Sequence, residues 1–138
     1  MATISDKGLA AIEQREGFKT FAYKDTKGIW TIGVGHTGPE VHEGLVWTTV
    51  QVQETLRKDV QTAEKAINAG VKVELTQNQF DALVSFVFNV GVGAFTKSTM
   101  LKVLNQKNYI EAAKQFDRWV IPKEITSRRM SEKAQFVS

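Results

Sequence analysis

The sequence predicts a mainly helical α+β fold with one small antiparallel sheet. Apolar residues recur with the helical period from about residue 48 onward, whereas residues 18–36 alternate with a period of two. Capping residues and glycines mark where most of these segments begin and end. The length of 138 residues leaves room for one compact domain, or for two small lobes that share a core.

Composition excludes several classes of protein. Hydrophobic residues make up 42% of the chain and charged residues 24%, which is typical of a globular protein and not of a disordered or fibrous one. Because the chain has no cysteine, disulfide scaffolds and thiolate chemistry are excluded. The net charge of +3 permits contact with anionic surfaces without indicating nucleic acid as a partner. Since neither a signal peptide nor a long apolar run is visible, we expect no stable membrane insertion.

The N-terminal part predicts one helix and then a hairpin. Ser5 can cap a helix over about residues 5–16, and a glycine ends it. The hairpin follows, with a turn-forming run at residues 25–28 between its strands. Its second strand is expected to run to Gly35, with one packed face and one open face that carries Thr31 and the glycines. Glycines in a strand let another group approach the backbone closely.

Helices are predicted over the rest of the chain. A capping box at Thr48 begins a helix over about residues 48–69, roughly 30 Å long and so long enough to join two lobes. A second capping box at Thr76 begins a helix to Val90 that is apolar on nearly every face and should be the central core helix. Three shorter helices are expected at about residues 97–105, 108–120 and 126–137, the second of them stopped by Ile121 and Pro122.

We expect these elements to form a single domain, residues 1–138, with two lobes. The β lobe would take about residues 18–47, and the helix over about 48–69 would connect it to the helical lobe. The helical lobe would take about residues 70–138 and the N-terminal helix. We expect the cleft to lie between the lobes.

Several kinds of site find little support. His36 and His42 lie in a loop around Pro39 without a third nitrogen ligand, so a structural hydrogen bond or ion pair is the favoured interpretation over a metal site. No P-loop and no GxSxG motif occurs, and the glycines of the second strand do not precede a helix as a dinucleotide-binding motif requires. We therefore expect no metal and no cofactor.

Glu16 and Asp25 are the strongest candidates for chemistry, one at a helix exit and the other at the hairpin turn. Hydrolysis of a glycosidic bond needs two carboxyl groups, one a protonated acid and the other an ionised base or nucleophile. A glutamate beside the apolar hairpin would hold its proton to a higher pH than an aspartate in a solvated turn. Capping and solvation explain most residues of this kind, so the spacing alone is weak evidence.

Three blocks of the sequence make the pattern specific. In the first, Glu16 is followed after eight residues by Asp25, after five more by Thr31, and then by a glycine-spaced strand that ends in Gly35 and His36. The other blocks are residues 79–83 with 88–91 and 95–98, and residues 127–129 with Glu132 and Phe136. Together they touch nearly the whole chain and resemble the phage-type lysozymes of glycoside hydrolase family 24. One departure is Glu124, which stands where a glycine often precedes the closing helix of lambdoid members.

The resemblance implies a two-lobed lysozyme-like fold and a muramidase activity. It implies that Glu16 is the general acid, while Asp25 and Thr31 position and activate the water that cuts the β-1,4 bond after N-acetylmuramic acid with inversion. The two carboxyl groups would then be about 6.5 to 9.5 Å apart. Arg128 matches a family arginine that pairs with the catalytic glutamate. The substrate contacts carried over are Thr37, Phe88, Ser98 and Gln115, with a turn role for Thr37 and a core role for Phe88 as the alternatives.

The resemblance also implies the setting in which the protein works. Its partner would be the glycan strands of peptidoglycan, with no nucleic acid involved, and we expect a monomer. We expect it to stay in the host cytoplasm until a holin-type lesion releases it to the cell wall.

Two rival functions stay open. One is a wall-binding module without turnover, which the retention of Glu16, Asp25 and Thr31 disfavours. The other is a lytic transglycosylase, which needs one carboxyl group and leaves anhydro ends.

Overall fold

The computed structural model describes residues 1–120 and 123–138, with residue 124 described by its backbone alone. The helices and strands are α1 (Asp6–Glu16), β1 (Lys19–Lys24), β2 (Trp30–Gly33), β3 (His36–Thr37), α2 (Thr49–Asp59), α3 (Gln61–Gly70), α4 (Gln77–Val90), α5 (Val92–Thr96), α6 (Thr99–Asn105), α7 (Tyr109–Gln115) and α8 (Thr126–Val137). This order confirms the predicted fold class, mainly helical with one small antiparallel sheet.

The sheet contains a strand that the sequence did not predict. β1 pairs with β2, and β2 pairs with β3, both antiparallel. The expectation that the second strand runs to Gly35 was wrong, because the strand ends at Gly33 and a turn at Val34 and Gly35 returns the chain as β3. Gly33 and Gly35 have φ values of 70° and 69°, in the left-handed region that glycine adopts without strain. The two glycines therefore bend the chain into a second hairpin.

The strand register places Tyr23, Thr31 and Thr37 in one row across the sheet. Tyr23 is the Cα partner of Thr31, and Thr31 is the partner of Thr37. Directly opposed residues of antiparallel strands point to the same face, so these three side chains share a face. The expectation that Thr31 stands on an open face was wrong, because Thr31 is only 4% exposed. A residue from each adjacent strand flanks it.

The chain separates into two compact units, and the boundary falls within the predicted connecting helix. One unit is Leu9–Gln61, and the other combines Met1–Gly8 with Thr62–Ser138. The single helix expected over 48–69 is instead α2 and α3, interrupted at Val60, where ψ is −10°. The N-terminal helix, which we assigned to the helical lobe, contributes its residues from Leu9 onward to the unit that holds the sheet.

In the unit of residues 9–61, α2 packs against all three strands. The capping box is present, since Thr48 Oγ1 accepts the N–H of Gln51 and the Gln51 side chain accepts the N–H of Thr48. The apolar side chains buried in this unit are Leu9, Ile12, Ile32, Val34, Val41, Val52, Leu56 and Val60.

In the unit that contains residues 62–138, α4 is the central helix, as predicted. Its residues from Phe80 to Val87 are all buried, and its capping box of Thr76 and Gln79 is present. α8 packs along it, and Phe86 makes edge-to-face contacts with Phe116 and Trp119, with ring centroids 5.4 and 5.3 Å apart.

The shorter helices differ from prediction mainly at their ends. The helix expected over 97–105 begins at Thr99, because Ser98 is its cap, and α5 before it was not predicted. The helix expected over 108–120 is α7, which passes into a 3-10 turn at Phe116–Arg118. The stop at Ile121 and Pro122, and the side chain of Glu124, lie outside the described residues. No helix in the described part of the chain has the length and apolar character that crossing a membrane requires.

Candidate active site

Glu16, the last residue of α1, brings its carboxylate against Gly35. A Cβ placed on Gly35 would lie 2.7 Å from Glu16 Oε2, closer than real side chains approach. α1 ends here because Gly17 follows with φ 92°, and its N–H donates to Glu13 O. The absence of a side chain at Gly35 is therefore what leaves space for the half-buried carboxylate.

Asp25 lies at the hairpin turn that follows β1, and its carboxylate is fixed through one oxygen. Oδ1 accepts the backbone N–H groups of Lys27 and Ile29, both at 2.8 Å. Such bonds to its own turn are the usual reason for aspartate at this place. No residue that the structure describes bonds Oδ2, and the side chain is half-buried. Asp25 therefore presents one oriented oxygen that can accept a proton.

Thr31 on β2 shares a backbone anchor with Asp25. Its hydroxyl donates to Ile29 O at 2.9 Å, the same carbonyl that accepts the N–H of Asp25. Because a carbonyl can only accept, the Thr31 proton is committed, and the hydroxyl oxygen has lone pairs left to accept a further hydrogen bond. Thr37 on β3, predicted to touch substrate, is exposed and lies directly across from Thr31.

His36 holds β3 through two carboxylates. Its Nδ1 is 2.7 Å from Asp59 Oδ2, and its Nε2 is 2.7 Å from Glu40 Oε1. Burial alone would lower the pKa of His36, but the hydrogen bonds and charges of Asp59 and Glu40 outweigh it and raise the pKa. The hydrogen bond from His36 lowers the pKa of Glu40. The ion pair expected for the loop histidines is thus found at His36, between Gly35 and Thr37.

The other predicted substrate contacts fall in the unit that contains residues 62–138. Phe88 is half-buried near the end of α4. The Ser98 hydroxyl caps α6 by accepting the N–H of Leu101 at 3.1 Å, and it donates to Phe95 O. Gln115 is 3% exposed and donates to Glu111 Oε1 on its own helix. Ser98 and Gln115 thus have structural bonds of their own, and the substrate role of all three stays a prediction.

Arg128 and Arg129, which the sequence places where a helix dipole disfavours cations, have a buried acidic partner. Glu132, with no exposed surface, accepts from Arg128 Nε at 3.2 Å, from Ser85 Oγ at 2.5 Å and from Arg129 Nη1. Glu132 is thus the shared acidic partner of the two arginines. A pairing of Arg128 with Glu16 stays a prediction.

These contacts link the three predicted catalytic residues within one unit. Glu16 lies against Gly35, two residues before Thr37, and Thr37 is the strand partner of Thr31. Thr31 and Asp25 are in turn bonded to the same residue, Ile29. The phage lysozyme family model matches residues 13–132, a span that includes all of them.

The chain belongs to the phage lysozyme family. The endolysin of Salmonella phage P22 is 43% identical over 146 aligned positions, which cover 100% of both chains. A crystal structure of a P22 lysozyme mutant matches with a TM-score of 0.92 at 42% identity, again over 100% of both chains. The muramidase domain of SpmX from Asticaccaulis excentricus is 37% identical with a TM-score of 0.91, over 100% of this chain and 99% of that one. The SAR-endolysin of Enterobacteria phage PA-2 is 35% identical over 86% of this chain and 72% of that protein.

These matches confirm the expected family, fold and enzyme class. The lysozyme is a glycoside hydrolase of the endolysin type, with the lysozyme fold that the sequence blocks predict. Two parts of its candidate site were not found by sequence reasoning. The occupant of the space at Gly35 was not predicted to be Glu16, and the carboxylates of Glu40 and Asp59 were not paired with His36. A glycine after a short strand was the available sequence signal for the contact of Glu16 with Gly35. The sequence carried no signal for the pairing of His36 with Glu40 and Asp59.

Proposed function

We propose that this lysozyme hydrolyses the β-1,4 bond after N-acetylmuramic acid in peptidoglycan by an inverting mechanism. Glu16 acts as the general acid, and Asp25 with Thr31 activates the attacking water. The observation that carries the proposal is a pair of acceptors: Oδ2 of Asp25, which no described residue bonds, and the hydroxyl oxygen of Thr31. The side chains of Asp25 and Thr31 are both hydrogen-bonded to the backbone of Ile29. Their positions are therefore set before substrate binds.

The hydrogen bonds of Asp25 and Thr31 define the role of each toward water. Thr31 already donates its proton to Ile29 O, so toward a water it is an acceptor. Asp25 Oδ2 is an acceptor as well. A water that donates one proton to each keeps a lone pair for the anomeric carbon. Asp25 then takes the proton that the water loses as its oxygen forms the new bond to carbon.

Glu16 completes the reaction on the other side of the scissile bond. As that bond breaks, the protonated carboxyl gives its proton to the leaving oxygen, and the sugar leaves with a free hydroxyl. Glu16 is half-buried, and its carboxyl lies against Gly35. Inversion requires room for the water between the two carboxyl groups, about 6.5 to 9.5 Å.

The Glu16→Gln variant tests this proposal on purified peptidoglycan. We expect a loss of hydrolysis of roughly 100- to 10,000-fold, because an amide cannot give the proton. Products of the wild type should carry new reducing ends with the α configuration at the cleaved carbon, measured by NMR immediately after cleavage. Undiminished hydrolysis by Glu16→Gln would remove the acid role. Anhydro ends in the wild-type products would indicate the transglycosylase, and binding without cleavage would indicate the wall-binding module.

The proposal includes how the enzyme reaches its substrate. We propose release from the host cytoplasm through a holin-type lesion, with glycan strands as the partner. Expression alone should then leave cells intact, and co-expression of a holin should lyse them. Lysis by the chain alone, as the name SAR-endolysin suggests for the phage PA-2 relative, would contradict this route.

A further inference from the structure

Tyr23 is the one residue in the row of Tyr23, Thr31 and Thr37 that has neither a catalytic nor a substrate-binding role assigned to it. It is the strand partner of Thr31, as Thr37 is on the other side. Adjacent strands lie about 4.8 Å apart, so the three side chains form a continuous strip. Tyr23 also precedes Asp25 by two residues, and the N–H of Asp25 donates to the carbonyl of Ile29, which accepts the Thr31 hydroxyl as well. Tyr23 therefore lies beside Thr31 in the row and two residues before Asp25, the two residues assigned to the attacking water.

The hydroxyl of Tyr23 has no hydrogen-bond partner among the described residues. The chain has two tyrosines, and the other, Tyr109, donates its hydroxyl to Glu74 O at 2.7 Å. Tyrosine hydroxyls that are removed from water usually find a partner. Tyr23 is half-buried and shares its face of the sheet with Thr31.

The opposite face of the same strands is already occupied. Lys24 follows Tyr23 and is the strand partner of Trp30, and its Nζ lies 5.4 Å from the centre of the Trp30 ring. On that face His36 packs near Trp47, with ring centroids 5.5 Å apart. Side chains there contact each other, whereas the hydroxyl of Tyr23 contacts no described polar group. Among the described residues, the Tyr23 hydroxyl is thus left to bond a ligand on the face that carries Thr31.

We propose that Tyr23 is a substrate-binding residue whose hydroxyl hydrogen-bonds the glycan strand next to the scissile bond. The proposal rests on the muramidase function above. A phenol can both donate and accept, so it suits the hydroxyl and acetamido groups that line such a glycan. The aromatic ring of Tyr23 supplies an apolar surface for the sugar carbons at little cost in side-chain freedom. Tyr23 takes no part in proton transfer.

The test compares the same substitution at the two tyrosines, in the Glu16→Gln background so that binding is measured without cleavage. The ligand is purified glycan strands freed of their peptides, and the dissociation constant is measured by calorimetry. Tyr23→Phe should weaken binding roughly 2- to 12-fold, the range for loss of one hydrogen bond, and leave the melting temperature unchanged. Tyr109→Phe should lower the melting temperature and leave the dissociation constant unchanged, because it removes a hydrogen bond within the protein.

The outcomes separate the two proposals. If Tyr23→Phe binds glycan as well as its parent, the assignment of Tyr23 is overturned whatever the activity of Glu16→Gln. If Tyr23→Phe loses melting temperature and binding together, the residue is structural and the proposal also fails. If Glu16→Gln still hydrolyses peptidoglycan, the acid role fails, and the KM of Tyr23→Phe in the active enzyme then decides on Tyr23. In active enzyme, Tyr23→Phe should raise KM and leave kcat within about twofold.

Discussion

The carboxylate of Glu16 occupies the space where Gly35 has no side chain, with Oε2 2.7 Å from the position that a Cβ would take. Gly35 also has a φ of 69°, which side-chain-bearing residues rarely adopt. Two separate reasons thus favour glycine there, one from the backbone of the turn and one from the proposed catalytic acid. They can be separated experimentally.

Gly35→Ala should remove most activity. The new methyl group must displace Glu16, and misplacing a reacting group costs about 100-fold in kcat. Gly44→Ala is the matched control, because Gly44 has a φ of 89° but nothing within 4 Å of the added Cβ. Both variants should lose about 1 to 2 kcal/mol of unfolding free energy, and only Gly35→Ala should lose activity. Equal activity of the two, measured on peptidoglycan, would contradict the contact with Glu16.

Asp25→Asn should lower kcat while leaving the turn intact. An asparagine oxygen can still accept the N–H groups of Lys27 and Ile29, but an amide cannot take a proton from water. We expect a loss of roughly 100- to 10,000-fold in kcat with little change in melting temperature. Full activity of Asp25→Asn would show that the base lies elsewhere.

Thr31→Val and Thr31→Ser separate the hydroxyl from the shape of the side chain. Valine keeps the volume of this buried residue but cannot accept from water, so kcat should fall about 100-fold. Serine keeps the hydroxyl and should retain most activity. Similar kcat values for the two variants, at matched stability, would argue against a water-holding hydroxyl.

His36→Asn should lower stability in a way that depends on pH. The pKa of His36 is raised in the folded protein, so its contribution is fully present below the ordinary value of 6.5 and is lost as the pH rises through the folded value. The lowered pKa of Glu40 acts at the other end: its contribution is present above 4.5 and is lost as the pH falls further. The difference in unfolding free energy between wild type and His36→Asn should therefore be greatest between pH 4.5 and pH 6.5.

The exposure of the side chains around His36 sets the expected size of this stability difference and the choice of control variants. The side chains of His36 and Asp59 are 21% and 26% exposed, which suggests a difference on the order of 1 kcal/mol in urea unfolding. Asp59→Asn should cost more than Glu40→Gln, because Glu40 is 55% exposed. His42→Asn is the control, since among the described residues the His42 ring bonds a backbone carbonyl, Glu43 O, and no carboxylate. A wild-type-minus-His36→Asn difference that stays constant from pH 5 to pH 9 would contradict the ion pair.

Glu132→Gln should destabilise the unit that holds α4 and α8. The change leaves two arginines, 8% and 1% exposed, without their shared carboxylate. Loss of one partner from a buried ion pair costs about 3 to 5 kcal/mol. Asp117→Asn breaks the exposed pair with Lys133 and should cost at most about 1 kcal/mol. Equal midpoints of urea unfolding for the two variants would show that the buried network contributes little.

Sequence by itself determined the fold class and much of the local structure, and it named the candidate residues of the site. The helical and alternating periods gave the fold class, and the capping boxes at Thr48 and Thr76 placed two helix starts where the structure has them. These signals are local, because caps and periods act over a few residues. The family pattern singled out Glu16, Asp25 and Thr31 without any coordinates.

Only the tertiary structure decided how these residues meet. The contact of Glu16 with Gly35, the burial of Thr31 between its strand neighbours and the bonds from His36 to Asp59 join positions far apart in sequence. Such contacts depend on strand register and on where a turn falls, and a shift of one residue reverses every side chain on a strand. The turn at Gly35 sets the register of the third strand, and the first hairpin sets the pairing of Tyr23 with Thr31, so the row of three side chains became visible only in three dimensions.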